Sequence, residues 1–233
     1  MKITYIHHSS FSVELEHVTL LFDYYKGKLP EFSRDKPLLV FASHSHADHF
    51  DPVIFKLGEE REDVCYILSK DISRRKVPET QLNRVRFVKA GETFITELGD
   101  MTVETFKSTD EGVAFWLSGE GKQIYHAGDL NNWWWDGEDK AWNHNMAADY
   151  SREIGKMAGR HADIAFVPLD PRQEGKYHLG MDEFMEKVSA DAVFPMHFWR
   201  DYGIIQKLKE DPCSAGYREK IVEIHKEGEE FIR

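Results

Sequence analysis

The sequence predicts an α/β (α+β) protein in which two sheets are sandwiched between helices. Short apolar runs separated by polar and glycine-bearing turns fill the first half, and the second half alternates apolar strand segments with helical ones. No repeat, low-complexity tract or Ser/Pro linker interrupts the 233 residues, so residues 1–233 read as a single domain, long enough to bury a substantial core.

Taken in order, Ile3–Leu15 alternates loosely, Val18–Tyr25 follows after a short turn, and Lys26–Lys36, with Gly27 and Pro30, is a polar loop. Pro37–Ser43 is a continuous apolar run, as expected of a strand buried on both faces. Asp51 then reads as an N-cap with Pro52 at the first helical position, and Gly58 is expected to stop that short helix. Val64–Leu68, Val85–Val88, Thr93–Leu98 and Met101–Phe106 are further strands, and Val113–Leu117 and Gln123–His126 form a hairpin around Gly119–Gly121. Asn131–Arg160 is long, polar and aromatic, with helical spacing from about Ala147. Ile164–Leu169 reads as a strand, Met181–Ala190 as a helix, Ala192–Met196 as a strand, Ile204–Lys209 as a helix and Ile221–His225 as a terminal strand.

Composition narrows the function. With 41 acidic and 30 basic side chains the formal net charge is −11, which argues against a polynucleotide partner. Cys65 and Cys213 are too few for a disulfide framework, and no signal segment or long apolar span is read. A cytoplasmic protein with no membrane or nucleic-acid partner is expected; a homo-oligomer is not readable. The 12 His are about twice ordinary usage.

They are not scattered. His44-Ser45-His46-Ala47-Asp48-His49 follows the Pro37–Ser43 strand, and three His and one Asp at fixed places arise by chance with odds on the order of one in 10⁵. In an extended segment residues i and i+2 point to one side, so His44 and His46 can pinch one cation, while Asp48 and His49 can face a second. Imidazoles and a carboxylate suit zinc first, with manganese and iron acceptable to the same donors. Asp129, beside Gly128 at a strand end, could bridge two metals, and His197 ends another strand.

These segments, with the opening MKITYIHHSSFSVEL, Phe22-Asp23 and Phe194-Pro195-Met196-His197, resemble the metallo-β-lactamase superfamily over nearly the whole chain. Within it the chain is similar to the compact bacterial metal-dependent hydrolases that include the ascorbate-phosphate lactonase type. The resemblance implies an αββα four-layer sandwich. It places His44 and His46 in a first metal site, Asp48, His49 and His197 in a second, and Asp129 between them.

The chain also departs from that pattern. The family's third His of the first site has no counterpart, since no His lies between His49 and His126; Lys107 or Ser108 stands near its place. His8, His126, His178 or the carboxylate of Asp110 could complete that site, or the Lys107 ammonium could replace its cation and polarise substrate. His126 could equally orient Asp129 or bond a carbonyl, and His178 could line a pocket.

The expected activity is hydrolysis of a small ester, lactone or phosphodiester by metal-activated water. Asp48 or Asp129 would handle the proton, and a metal or Lys107 would stabilise the oxyanion. A non-catalytic metal- or ligand-binding scaffold of the same fold is the alternative. Three consecutive indoles, Trp133–Trp135, cannot all face one core, so at least one should line a pocket, lid or contact; Trp142 and Trp199 add to this concentration. Arg172, Lys176 and Arg200 could hold an anionic substrate group, whereas Arg74–Lys76 and Glu227–Glu230 read as solvated surface.

Overall fold

In the computed structural model, which describes residues 1–233, the chain opens with β1 (Lys2–His7), β2 (Ser10–Glu14), β3 (Thr19–Phe22), β4 (Leu38–Ala42), β5 (Val64–Ser69) and β6 (Val85–Val88). Then come β7 (Thr93–Ile95), β8 (Thr102–Lys107), β9 (Val113–Gly119), β10 (Lys122–His126), β11 (Ala162–Pro168), β12 (Ala190–Met196) and β13 (Glu230–Ile232). The helices are α1 (Leu57–Glu60), α2 (Lys140–Gly155), α3 (Leu179–Lys187) and α4 (Gly203–Glu210). One sheet runs β13-β1-β2-β3-β4-β5-β6 and the other β12-β11-β10-β9-β8-β7. Each is antiparallel in one part and parallel in the other, through β3–β6 and β10–β12 respectively. No helix is long and apolar enough to cross a membrane.

Alternation along β4 shows why the layers stack. Leu39 and Phe41 join the large core shared with the second sheet, whereas Leu38, Val40 and Ala42 join a smaller core under Ile54 and Phe55 of the Pro52–Lys56 3-10 turn. A strand buried on both faces has to be apolar at every position, as the Pro37–Ser43 run is. Tyr150 and Ile154 of α2, and Met181 and Phe184 of α3, are buried in the large core, so helices also cover the second sheet and the order is αββα.

Several boundaries differ from expectation, each for a local reason. Ile3–Leu15 is a hairpin that turns at His8 and Ser9, with a register irregularity between Tyr5 and His7. The helix capped by Asp51 does not stop at Gly58: it runs on to Glu60, and Gly58 is there for packing, because a Cβ would lie 2.3 Å from Gln81 Oε1. α2 begins at Lys140, capped by Asp139, seven residues before the expected Ala147. Its buried face includes Asn143 and Glu153, which blur the apolar period. Ile221, Val222 and Ile224 are buried, yet Ile221–His225 is not a strand; it makes one bridge, Val193 to Ile221, before the chain crosses to pair β13 with β1.

Candidate metal centre

The site is assembled where β4, β10, β11 and β12 end, beside the β1–β2 turn. Ser43 is the first residue beyond β4, and its N–H and Oγ donate to the Asp23 carboxylate at 2.7 and 2.6 Å. Two glycines let other loops reach it. A Cβ on Gly112 (φ +71°) would lie 1.9 Å from the Ser43 carbonyl oxygen, and one on Gly128 (φ +52°) would lie 2.6 Å from Ser43 Cβ. Asp110 and Asp129 are thereby brought against the His44–His49 loop.

The ligand-type atoms converge. Asp129 Oδ1 lies 3.2 Å from His49 Nε2 and 3.5 Å from His197 Nε2, while Asp129 Oδ2 lies 3.4 Å from His44 Nε2. Asp48 Oδ2 lies 3.4, 3.8 and 4.0 Å from the Nε2 atoms of His8, His197 and His49. On the other side of Asp129, His46 Nδ1 lies 3.1 Å from His44 Nε2 and 3.7 Å from Asp110 Oδ2. Ligands about 2.1 Å from a tetrahedral ion stand ~3.4 Å from one another, which is the spacing seen here. His49 Nε2, Asp129 Oδ1 and both His8 ring nitrogens are buried without a hydrogen-bond partner. Buried polar atoms are normally satisfied, so this orphaned set fits a cation.

Outer partners aim the imidazoles. Asp23 accepts from His49 Nδ1 at 2.8 Å and Asp170 accepts from His197 Nδ1 at 2.9 Å, so both Nε2 atoms face the cluster. His44 Nδ1 donates to Ser43 Oγ at 2.9 Å. Burial pushes the Asp23 carboxyl up, but His126 and the hydrogen bond from His49 more than offset this and leave it below its ordinary range. Asp129 is likewise raised by burial and lowered further by His49 and His197, ending well below the usual carboxylate value. His49, disfavoured as a cation by burial, is held well above 6.5 by Asp129 and Asp23. Burial brings His8 down to about 4, against the pull of Asp48. Asp23 is part of the Phe22-Asp23 segment that carries the resemblance, though no role was assigned to it, and Asp170 did not stand out in the sequence; both sit one or two residues past a strand end, where this site is built.

The candidates thus separate by position. His44, His46, Asp48, His49, Asp129 and His197 are brought together. His8 joins them, but among Asp48, His49 and His197, so it is not placed to complete the first site; Asp110, beside His46, is. His126 is occupied: Nε2 donates to the Ser9 carbonyl at 3.0 Å, Nδ1 accepts from Gly128 N–H at 3.2 Å, and the ring stacks on Phe22. His178 faces elsewhere, paired with Asp182 at 2.6 Å near Cys213. Lys107, the last residue of β8, is exposed and does not line the cleft.

In front of the cluster lies a cleft of about 610 Å³ lined by Trp133, Trp135, Trp142, Trp199, Tyr25 and Arg172, with Asp48, Asp110 and Asp129 at its inner end. Trp133 Nε1 donates to the Asp129 carbonyl at 2.9 Å, and the Trp199 ring lies 4.3 Å from that of His8. Lys176 and Arg200 do not line it; Arg200 pairs with Glu227 at 2.7 Å.

Comparison with known proteins gives the family and the fold. The sequence profile of the β-lactamase superfamily domain matches residues 2–197. A UPF0173 metal-dependent hydrolase of Opitutus terrae is 29% identical over 217 residues, spanning 86% of this chain and 81% of that protein. Igni18, a metallo hydrolase of Ignicoccus hospitalis, superposes with a TM-score of 0.63 at 20% identity over 99% of this chain and 97% of its own. YhfI of Bacillus subtilis, a metallo-β-lactamase fold protein, gives 0.62 at 14% identity over 99% of both chains. From its opening strand to the His197 that closes the cluster, the chain belongs to the β-lactamase superfamily.

Proposed function

We propose that the chain is a metal-dependent hydrolase that cleaves a small carboxylic ester or lactone. The observation that carries this reading is the orphaned buried set, His8, His49 Nε2 and Asp129 Oδ1, facing Asp48 and His197 at the inner end of an open cleft. Two cations are proposed, zinc first with manganese or iron acceptable, on either side of Asp129. His44, His46 and Asp110 would hold one, and Asp48, His49, His197 and His8 the other, with one Asp129 oxygen toward each.

A divalent cation supplies Lewis acidity and brings water's pKa toward neutrality. The chain's own residues do the rest. Asp48 is partly exposed at the cleft and stays ionised: burial raises its carboxyl, and His8 at 3.4 Å with the charges of His49 and His197 hold it far below its ordinary value. Asp48, at the cleft, would take the proton of the attacking water and return it to the leaving oxygen. Asp170, locked to His197 and to Arg172, keeps the His197 ring aimed inward.

A panel of esters, lactones and phosphodiesters, assayed with zinc, manganese and iron and after chelation, tests the proposal. Hydrolysis of an ester or lactone that chelation abolishes and His197→Ala removes is expected. Cleavage of RNA alone would overturn the substrate assignment, and a fully loaded protein inactive across the panel would favour a binding scaffold. Two metals per chain by elemental analysis, falling to one in Asp110→Asn, is the expected stoichiometry.

A further inference from the structure

The walls of the cleft say more about the substrate than the cluster does. Trp133 and Trp135 stack with centroids 5.9 Å apart and 7° between their planes, and the Trp133 ring meets His197 at 5.3 Å. Trp142, 37% exposed, and Met146 close the same space from the first turns of α2. Indole faces offer no hydrogen-bonding groups; what they reward is a flat apolar surface.

Arg172 is the sole Lys or Arg side chain lining the cleft. Its guanidinium lies 5.7 Å from the Trp135 ring and 4.9 Å from the Trp199 ring, so both indoles already face a cation. Nε and Nη2 are engaged by Asp170, at 2.9 and 2.5 Å to its nearer oxygens. Nη1 keeps both of its hydrogens for a ligand. With two indole rings nearby and a carboxylate bound along one edge, the fork is positioned before any ligand arrives. The other charged groups of the cleft, Asp48, Asp110 and Asp129, belong to the ligand cluster, so the charge left over for substrate recognition is the Arg172 edge, which selects an anion.

We infer that the substrate is an aromatic carboxylate: a molecule whose flat ring lies against Trp135 and Trp142 and whose carboxylate meets Arg172 Nη1, leaving its ester or lactone carbonyl toward the cluster. The position of the carbonyl rests on the hydrolase reading; the ring and anion subsites do not.

Calorimetric titration of the metal-loaded protein with inert probes separates the two. 3-Phenylpropionate is expected to bind at least tenfold tighter than hexanoate, which lacks the ring, and than 3-phenylpropan-1-ol, which lacks the charge. Trp142→Ala, a change at a half-exposed position, should weaken 3-phenylpropionate about three- to tenfold and leave hexanoate unchanged. Arg172→Gln should erase the preference for the acid over the alcohol, with metal content measured alongside because Arg172 also holds Asp170. Equal binding of hexanoate and 3-phenylpropionate would overturn the ring subsite, and tighter binding of benzyltrimethylammonium would overturn the anion subsite. An acid preference that survives Arg172→Gln would place the carboxylate on the cluster and overturn the anion subsite. If the aromatic acid binds as expected while no ester or lactone is hydrolysed, the hydrolase reading fails and this one stands. Metal-dependent hydrolysis without any aromatic preference is the reverse result.

Discussion

Asp23→Asn should separate the stability of the fold from its affinity for metal. Asp23 is fully buried, sits at φ +45°, where Asn is equally tolerated, and accepts three hydrogen bonds, from Ser43 N–H, Ser43 Oγ and His49 Nδ1. Hydrogen bonds to an ionised acceptor contribute roughly 1.5–3 kcal/mol each, so Asp23→Ala, which strands a fixed backbone donor and an imidazole, is expected to cost about 3–6 kcal/mol. Asparagine is different. Its one oxygen has to serve the Ser43 N–H, which cannot turn away, and its NH₂ then faces His49 Nδ1. The imidazole answers by moving its hydrogen to Nε2, where Asp129 Oδ1 waits at 3.2 Å. The metal-free protein stays within about 2 kcal/mol of the parent, but the lone pair that a cation needs is gone, and affinity should fall about ten- to hundredfold. Denaturant unfolding of the metal-free proteins gives the first quantity and chelator competition the second. An Asn variant that binds metal like the parent, or one as unstable as the Ala variant, would refute the assignment of the His49 hydrogen to Nδ1.

Other consequences can be measured directly. Gly112→Ala puts a Cβ 1.9 Å from the Ser43 carbonyl at φ +71°, and should cost at least about 2 kcal/mol in urea unfolding with a loss of metal affinity. The hydrogen bond to Asp182 is the main cause that raises His178 above 6.5. Its stabilisation is complete below that pH and disappears as pH rises through the higher folded-state value, so Asp182→Asn should flatten the melting temperature over that window, and an unchanged slope would refute the coupling. Lys107 points to solvent, so Lys107→Ala should leave turnover within about twofold, the range expected of a surface change, and Lys107→His should add no metal. A new activity in Lys107→His would contradict the direction assigned to that side chain.

Much of the fold was legible because burial on both faces leaves no choice of residue. β4 and β5 read directly as apolar runs, and the β9–β10 hairpin was marked by Gly119–Gly121. Elements held by polar contacts were not legible in this way. α2 was started late because Asn143, which bonds Trp135 N–H and C=O at 2.9 and 2.7 Å, occupies its buried face. β13 is three residues long, with two of them exposed, and its pairing with β1 comes from the opposite end of the chain, which no local pattern reports. Ile221–His225 carries the burial of a strand without its ladder, and hydrophobicity cannot tell those apart.

The site divides along the same line. Ligand types were legible because three imidazoles and a carboxylate in six residues have little structural use except around a cation. Which donor serves which side was not, because it depends on how turns aim side chains. His8 adopts φ +54°, with its N–H bonded to Tyr5 Oη at 3.0 Å, and this swings the ring away from His44 and His46 toward Asp48 and His197. Asp110 reaches His46 because Gly112 lets the loop after β8 press on Ser43. Replacing an imidazole by a carboxylate changes the charge on that side by one unit while the number of donors is kept. The proposed first site of His44, His46, Asp110 and Asp129 would therefore be harder and more anionic than a three-imidazole site. On ligand softness alone it should hold manganese or iron(II) relatively better than a His₃ site would, against the same zinc competitor. The two sides of Asp129 should then differ in metal preference, and loading with mixed metals followed by elemental analysis of Asp110→Asn and His8→Gln would show whether each variant loses a different ion.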